Sequence, residues 1–186
     1  MTYGDLELCD RCFDRRLSGR TGLPRLPDLP AHETVTGPDG RRHRIEYRLW
    51  RAPTGVVAEA AELDCPAGEG YHVEVMGSHD ADAEVLLDRV RTRLRQRIGQ
   101  LDLVDGPGGY PVMARDEVVG RLVWNQDDAP YDVVVDGRRM SWDAFGRALE
   151  PFEGWHFRLQ FDDAELEGDG GALNTETKPA TRRRTH

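Results

Sequence analysis

Two cysteines at a spacing of three are the densest chemistry in this sequence. Cys9-Asp10-Arg11-Cys12 sets two thiols on one tight knuckle, and thiolates so spaced take adjacent corners of a zinc tetrahedron. A closed structural site needs four ligands, so Cys9 and Cys12 predict half of one. The other half has three candidate sources: Cys65 with a histidine, a second copy of the chain, or a cysteine pair encoded upstream of Met1. The same spacing between an extended segment and a helix depresses a thiol pKa in redox proteins, here beside Arg11, Arg15 and Arg16. A thioredoxin-like site would need a strand and a helix first, and only eight residues precede Cys9. Ordinary reduced thiols are the remaining alternative. An odd number of cysteines argues against a disulfide framework.

The other reactive side chains are scattered. His79, Asp80 and Asp82 precede a long helical pattern and are explained by helix capping. Gly106, Gly108 and Gly109 lack the Gly-Lys-Ser/Thr ending of a phosphate loop. Ser18, Ser78 and Ser141 all lie outside a Gly-x-Ser-x-Gly elbow. His43, His72 and His156 fall in strand-like stretches, where a half-exposed imidazole is ordinary. Glu59, Glu74 and Asp128 remain as acids that an enzyme could use.

Positioning any of these residues requires a folded body. The 186 residues suffice for one sizeable domain with appendages. Charged residues make up 32%, the apolar set 38%, and no run approaches the roughly 20 apolar residues that span a bilayer. A membrane protein is therefore not expected. Met1 to Asp5 lack the basic and apolar segments of a secretory signal, which predicts a cytoplasmic protein. A net charge of -9 opposes bulk attraction to nucleic acid, despite arginines crowded over 89–97 and 182–184.

The sequence predicts an α+β fold in four parts: a Cys-x-x-Cys head (1–18), a proline-rich linker (19–31), an α+β body (32–163) and a disordered tail (164–186). Pro24, Pro27 and Pro30 keep the linker extended. In the head, Phe13 to Leu17 reads as a short helix. Stretches 33–36, 42–51, 56–63 and 71–76 read as an antiparallel meander, with Pro38-Asp39-Gly40 turning the first hairpin. His43, Ile45, Tyr47 and Leu49 alternate with polar residues at the period of two of a sheet with one wet face. Between Asp80 and Leu101 the apolar residues switch to helical spacing, predicting a long amphipathic helix over the meander, capped by Ser78 or Asp80. Further strands are expected over 111–115, 117–125 and 131–136, then a helix capped by Ser141 and running to Leu149. Trp155, Phe157, Leu159 and Phe161 alternate with His156, Arg158 and Gln160, predicting a C-terminal core strand. Trp142 and Trp155 are expected in the core.

Two stretches carry a resemblance. Leu8-Cys9-Asp10-Arg11-Cys12-Phe13-Asp14-Arg15-Arg16-Leu17 resembles the second knuckle of a zinc ribbon that heads a family of uncharacterised bacterial proteins. Val135-Asp136-Gly137-Arg138-Arg139-Met140-Ser141-Trp142-Asp143-Ala144-Phe145-Gly146-Arg147, with Phe152-Glu153-Gly154-Trp155-His156-Phe157, resembles that family's C-terminal turn, helix and strand. The likeness covers most of residues 5–162, departs from the family by lacking the first cysteine pair, and implies no activity. The expectation is a noncatalytic binding or adaptor module with an unidentified protein partner. The alternatives are a small-molecule enzyme with a pocket between sheet and long helix, or a Cys-x-x-Cys redox protein.

Overall fold

The structure, a computed structural model, describes residues 2–3, 6–30, 32–125 and 131–161. Two short strands, β1 (Thr2–Tyr3) and β2 (Leu6–Glu7), pair ahead of α1 (Asp10–Thr21). The helix is longer than the predicted Phe13–Leu17, and Gly22 at φ 74° ends it by donating its N–H to the Ser18 carbonyl. The proline-rich stretch that follows is extended, and its Leu26 and Leu29 pack against the core of the sheet.

Strands β3 (Glu33–Thr36), β4 (Arg42–Ala52), β5 (Gly55–Glu62) and β6 (His72–Gly77) form the expected antiparallel meander in chain order. Alternation sorts their side chains between two faces. Ile45, Tyr47, Val56, Ala58, Ala60, Val73 and Val75 lie buried on one; the cross-strand row Arg48, Glu59 and Glu74 lies on the other. At Gly55 the sheet tolerates no side chain, because a Cβ there would stand 1.9 Å from the Gly77 carbonyl oxygen.

Helix α2 (Ala83–Gly99) lays Leu86, Leu87, Val90, Leu94 and Ile98 on the buried face. It starts later than predicted because Asp82, not Ser78 or Asp80, takes the cap: its carboxylate accepts the Glu84 N–H at 2.9 Å. Between sheet and helix lies a packed apolar layer, with all five helix residues at most 2% exposed.

A second buried cluster follows. Strands β7 (Leu103–Asp105) and β8 (Pro111–Met113) form a hairpin across the glycine-rich loop. Strands β9 (Gly120–Trp124), β10 (Tyr131–Val135) and β11 (Arg138–Met140) form a three-stranded sheet in the order β11-β10-β9. Asp136 and Gly137, at φ 50° and 71°, turn β10 into β11. Helix α3 (Trp142–Ala148) is capped by Ser141, as its sequence predicts, and a 3-10 turn follows over Glu150–Phe152. Leu103, Met113, Val133, Val135, Met140 and Ala148 form the cluster, with Phe145 and Phe152 packed against it.

The C-terminal core strand is absent. Residues 155–161 belong to no strand, and Trp155, Phe157, Leu159 and Phe161 are 64%, 89%, 64% and 70% exposed. The cluster is closed by α3 and Phe152 before this segment begins, and Gly154 at φ 83° redirects the chain. Trp142 is likewise 51% exposed, so neither tryptophan is a core residue. The predicted tail (164–186) and Asp128 lie outside the described residues. Among the described residues, no helix is long and apolar enough to cross a membrane.

Candidate functional site

Cys9 is the N-cap residue of α1 and is exposed, while Cys12 is half-buried one turn on. The Arg15 guanidinium donates to Cys12 Sγ at 3.6 Å. Cys65 sits in the β5–β6 loop, its thiol directed at the carbonyls of Glu62 and Glu69 at 3.3 and 3.5 Å. Burial, reinforced by the Glu62 carboxylate, pushes that thiol above its ordinary pKa. None of the three cysteines is in a disulfide. Among the described residues, Cys65 and a histidine do not gather with Cys9 and Cys12 into a ligand set.

A different set does gather. Glu59 on β5 stands directly across from Glu74 on β6, and His72, two residues before Glu74, shares their face. Their ligand atoms all lie within 4.8 Å of one another, and each residue is partly buried. These three residues could hold a metal ion. His72 Nε2 lies 2.8 Å from Glu59 Oε1. That hydrogen bond holds the Glu59 carboxyl below its ordinary pKa against the opposing effect of burial, and Arg48 adds a smaller favourable charge. Both glutamates belong to the acids considered for an enzyme pocket, yet they occupy the sheet face opposite α2.

Among the described residues, the remaining candidates stand outside this group. His43 is buried, lies 2.7 Å from Glu62 Oε1 and meets the Tyr71 ring edge-on. His79 contacts the Pro53 carbonyl at 3.0 Å, and Ser18 contacts Asp14 at 3.5 Å. His156 is exposed in the segment after Gly154. The loop at 106–109 is the β7–β8 turn, closed by the Gly106 N–H on the Tyr110 carbonyl at 2.8 Å.

Comparison with protein families divides the chain at the boundary between its two clusters. Residues 27–99 match DUF7686 and residues 102–166 match DUF7713, each described as a domain of unknown function. Each family model matches less than half of the chain. The first cluster draws on residues of the DUF7686 match and the second on residues of the DUF7713 match. The Glu59–His72–Glu74 group lies within the DUF7686 match, and the exposed aromatic segment lies within the DUF7713 match, which continues to residue 166. Cys9 and Cys12 precede both. Neither the curated proteins nor the solved structures include a match.

No single stretch of sequence carries the metal-capable group. His72-x-Glu74 advertises two ligands on one strand face, but the third comes from the β5–β6 register, which the nine-residue loop of 63–71 leaves unspecified.

Proposed function

We propose that the protein is a noncatalytic binding module that takes a partner protein along Trp155–Phe161. The observation that carries this reading is the exposure of four large apolar side chains at alternate positions, from 64% at Trp155 to 89% at Phe157. Large apolar side chains exposed together in one segment point to an interaction site. Alternation at a period of two suits an extended strand that adds to the open sheet edge of another protein, where main-chain hydrogen bonds give affinity and pockets for alternate side chains give specificity. His156, Arg158 and Gln160 would then face away from the partner's apolar trough.

The test is a photo-crosslinking residue in place of Phe157. The expected result is an adduct whose contacted residues map to a sheet edge of one partner, and whose purified pair weakens at least about tenfold with Leu159→Asp. An adduct confined to the chain's own strands, or binding unaffected by Leu159→Asp, would overturn the reading.

In the same reading Cys9 and Cys12 supply half of a zinc site whose other ligands come from a second chain. Cobalt substitution should give a thiolate charge-transfer band in dimers alone, lost in the Cys9→Ser, Cys12→Ser variant. A band of equal strength in monomers would count against a shared site. Three cysteines, an odd number for a disulfide framework, fit a cytoplasmic setting.

A further inference from the structure

We propose that Glu59, His72 and Glu74 bind a zinc ion across strands β5 and β6, leaving its fourth position open to solvent. The site is distinct from the cysteine pair and draws on a different ligand chemistry: one imidazole and two carboxylates, all within 4.8 Å. Tetrahedral ligands about 2.1 Å from zinc stand about 3.4 Å from one another, so small side-chain rotations on a fixed backbone close the set.

Two further observations point to a cation here. Glu59 and Glu74 are directly opposed across an antiparallel pair, an arrangement of like charges that destabilises a sheet unless positive charge intervenes. Glu59 Oε2 is also closed off from solvent without a hydrogen bond. It is ion-paired with the half-exposed Arg48 guanidinium at 3.5 Å, which also lies 5.5 Å from the centroid of the Trp50 ring. Arg48 and His72 already offset part of the like-charge cost, and a dication between the two carboxylates would offset it further.

Access and selectivity follow from the same geometry. The His72 side chain is 33% exposed, so an ion reaches its Nε2 from the outer face of the sheet and replaces the hydrogen bond to Glu59. The imidazole favours zinc over magnesium or calcium, which prefer all-oxygen shells. Three protein ligands with a vacant fourth position is the composition of an open zinc site, as distinct from a closed structural one.

The experiment uses the full chain carrying Cys9→Ser, Cys12→Ser and Cys65→Ser, so that thiolate binding makes no contribution. Chelator-treated protein is titrated with zinc, and separately with magnesium, by calorimetry. One zinc per chain with negligible magnesium binding is expected. The cobalt-loaded protein should show a four- or five-coordinate visible spectrum without a thiolate band. His72→Gln and Glu74→Gln, each checked for folding by circular dichroism, should weaken zinc binding at least about tenfold. Absence of zinc uptake, equal uptake of magnesium, or unchanged zinc affinity in both folded variants would overturn the proposal. Failure here leaves the partner-binding segment untouched, because that segment is tested by cross-linking without metal.

Discussion

Asp14 and Arg51 join the head helix to the sheet through a buried ion pair, with Arg51 Nε donating to Asp14 Oδ1 at 2.9 Å and both side chains at most 6% exposed. Arg51 also donates to the carbonyls of Pro24 and His79, and Asp14 accepts the Leu26 N–H at 3.1 Å. Removing one partner leaves the other charge buried, which costs far more than removing both. Asp14→Ala should therefore lower stability by about 3–5 kcal/mol, and Asp14→Ala with Arg51→Met by much less. Urea denaturation of the three proteins measures this; equal losses in the single and double variants would show that the charge left behind is not the cause. Asp136 makes the opposite kind of prediction. Its carboxylate accepts the N–H groups of Asp102 and Leu103 at 2.9 and 2.8 Å, yet burial dominates and raises its pKa above 3.8. A carboxyl raised on folding contributes stability below its unfolded pKa and loses that contribution as pH climbs through the folded value. The stability of wild type minus that of Asp136→Asn should fall as pH rises from about 3 through that window, then level off. A difference that grows with pH would show that the two backbone donors outweigh burial.

At the scale of elements, the meander, α2 and α3 were legible because each repeats one period with one wet face. Ile45, Tyr47 and Leu49 alternate on β4, and Leu87, Val90 and Leu94 recur at helical spacing. The helix start was less legible, since Ser78, Asp80 and Asp82 are all good caps and the choice depends on where α2 meets the sheet. Trp155–Phe161 shows why a pattern alone does not place a strand. Alternation establishes that a segment has an apolar side, but burial also requires a vacant slot, and the slot on the second cluster is taken by Phe145, Ala148 and Phe152. The two elements therefore respond differently to truncation. Leu94→Ala, at a position with 0% exposure, should cost about 2–5 kcal/mol through lost transfer energy and a cavity. Phe157→Ala should change stability by no more than about 0.5 kcal/mol in the isolated protein. A loss of several kcal/mol at Phe157 in denaturant unfolding would return the segment to the core and remove the proposed contact surface.

On the scale of the whole molecule, the parts of the chain that carry the two clusters meet through main-chain groups of the β5–β6 loop. The Arg121 guanidinium, on β9, donates to the carbonyls of Gly68, Glu69 and Gly70 at 3.1, 3.2 and 3.2 Å. The Gly70 N–H in turn reaches the Gly137 carbonyl at 2.8 Å, and Arg139 reaches the Ala67 carbonyl at 3.5 Å. No sequence period encodes such contacts, because a single arginine serves three carbonyls of a loop more than fifty residues away. Burial lowers the Arg121 pKa, so the contact places a partly desolvated cation against three carbonyl dipoles. Replacing it with methionine keeps the apolar stem and strips the donors, which should cost about 1–3 kcal/mol in unpaired carbonyls. The loss should fall on the coupling between the two parts more than on either cluster. Native-state hydrogen exchange is the discriminating measurement, since it reads each amide against its own opening reaction. In Arg121→Met, amides of Val133 and Val135 should exchange through an opening that leaves those of Ile45 and Val75 protected, and calorimetry should resolve a second transition. Arg139→Met, whose contact to the loop is longer, should produce a smaller separation. Equal loss of protection in both clusters would mean that the two parts share one cooperative unit, with Arg121 no more than one contributor to it.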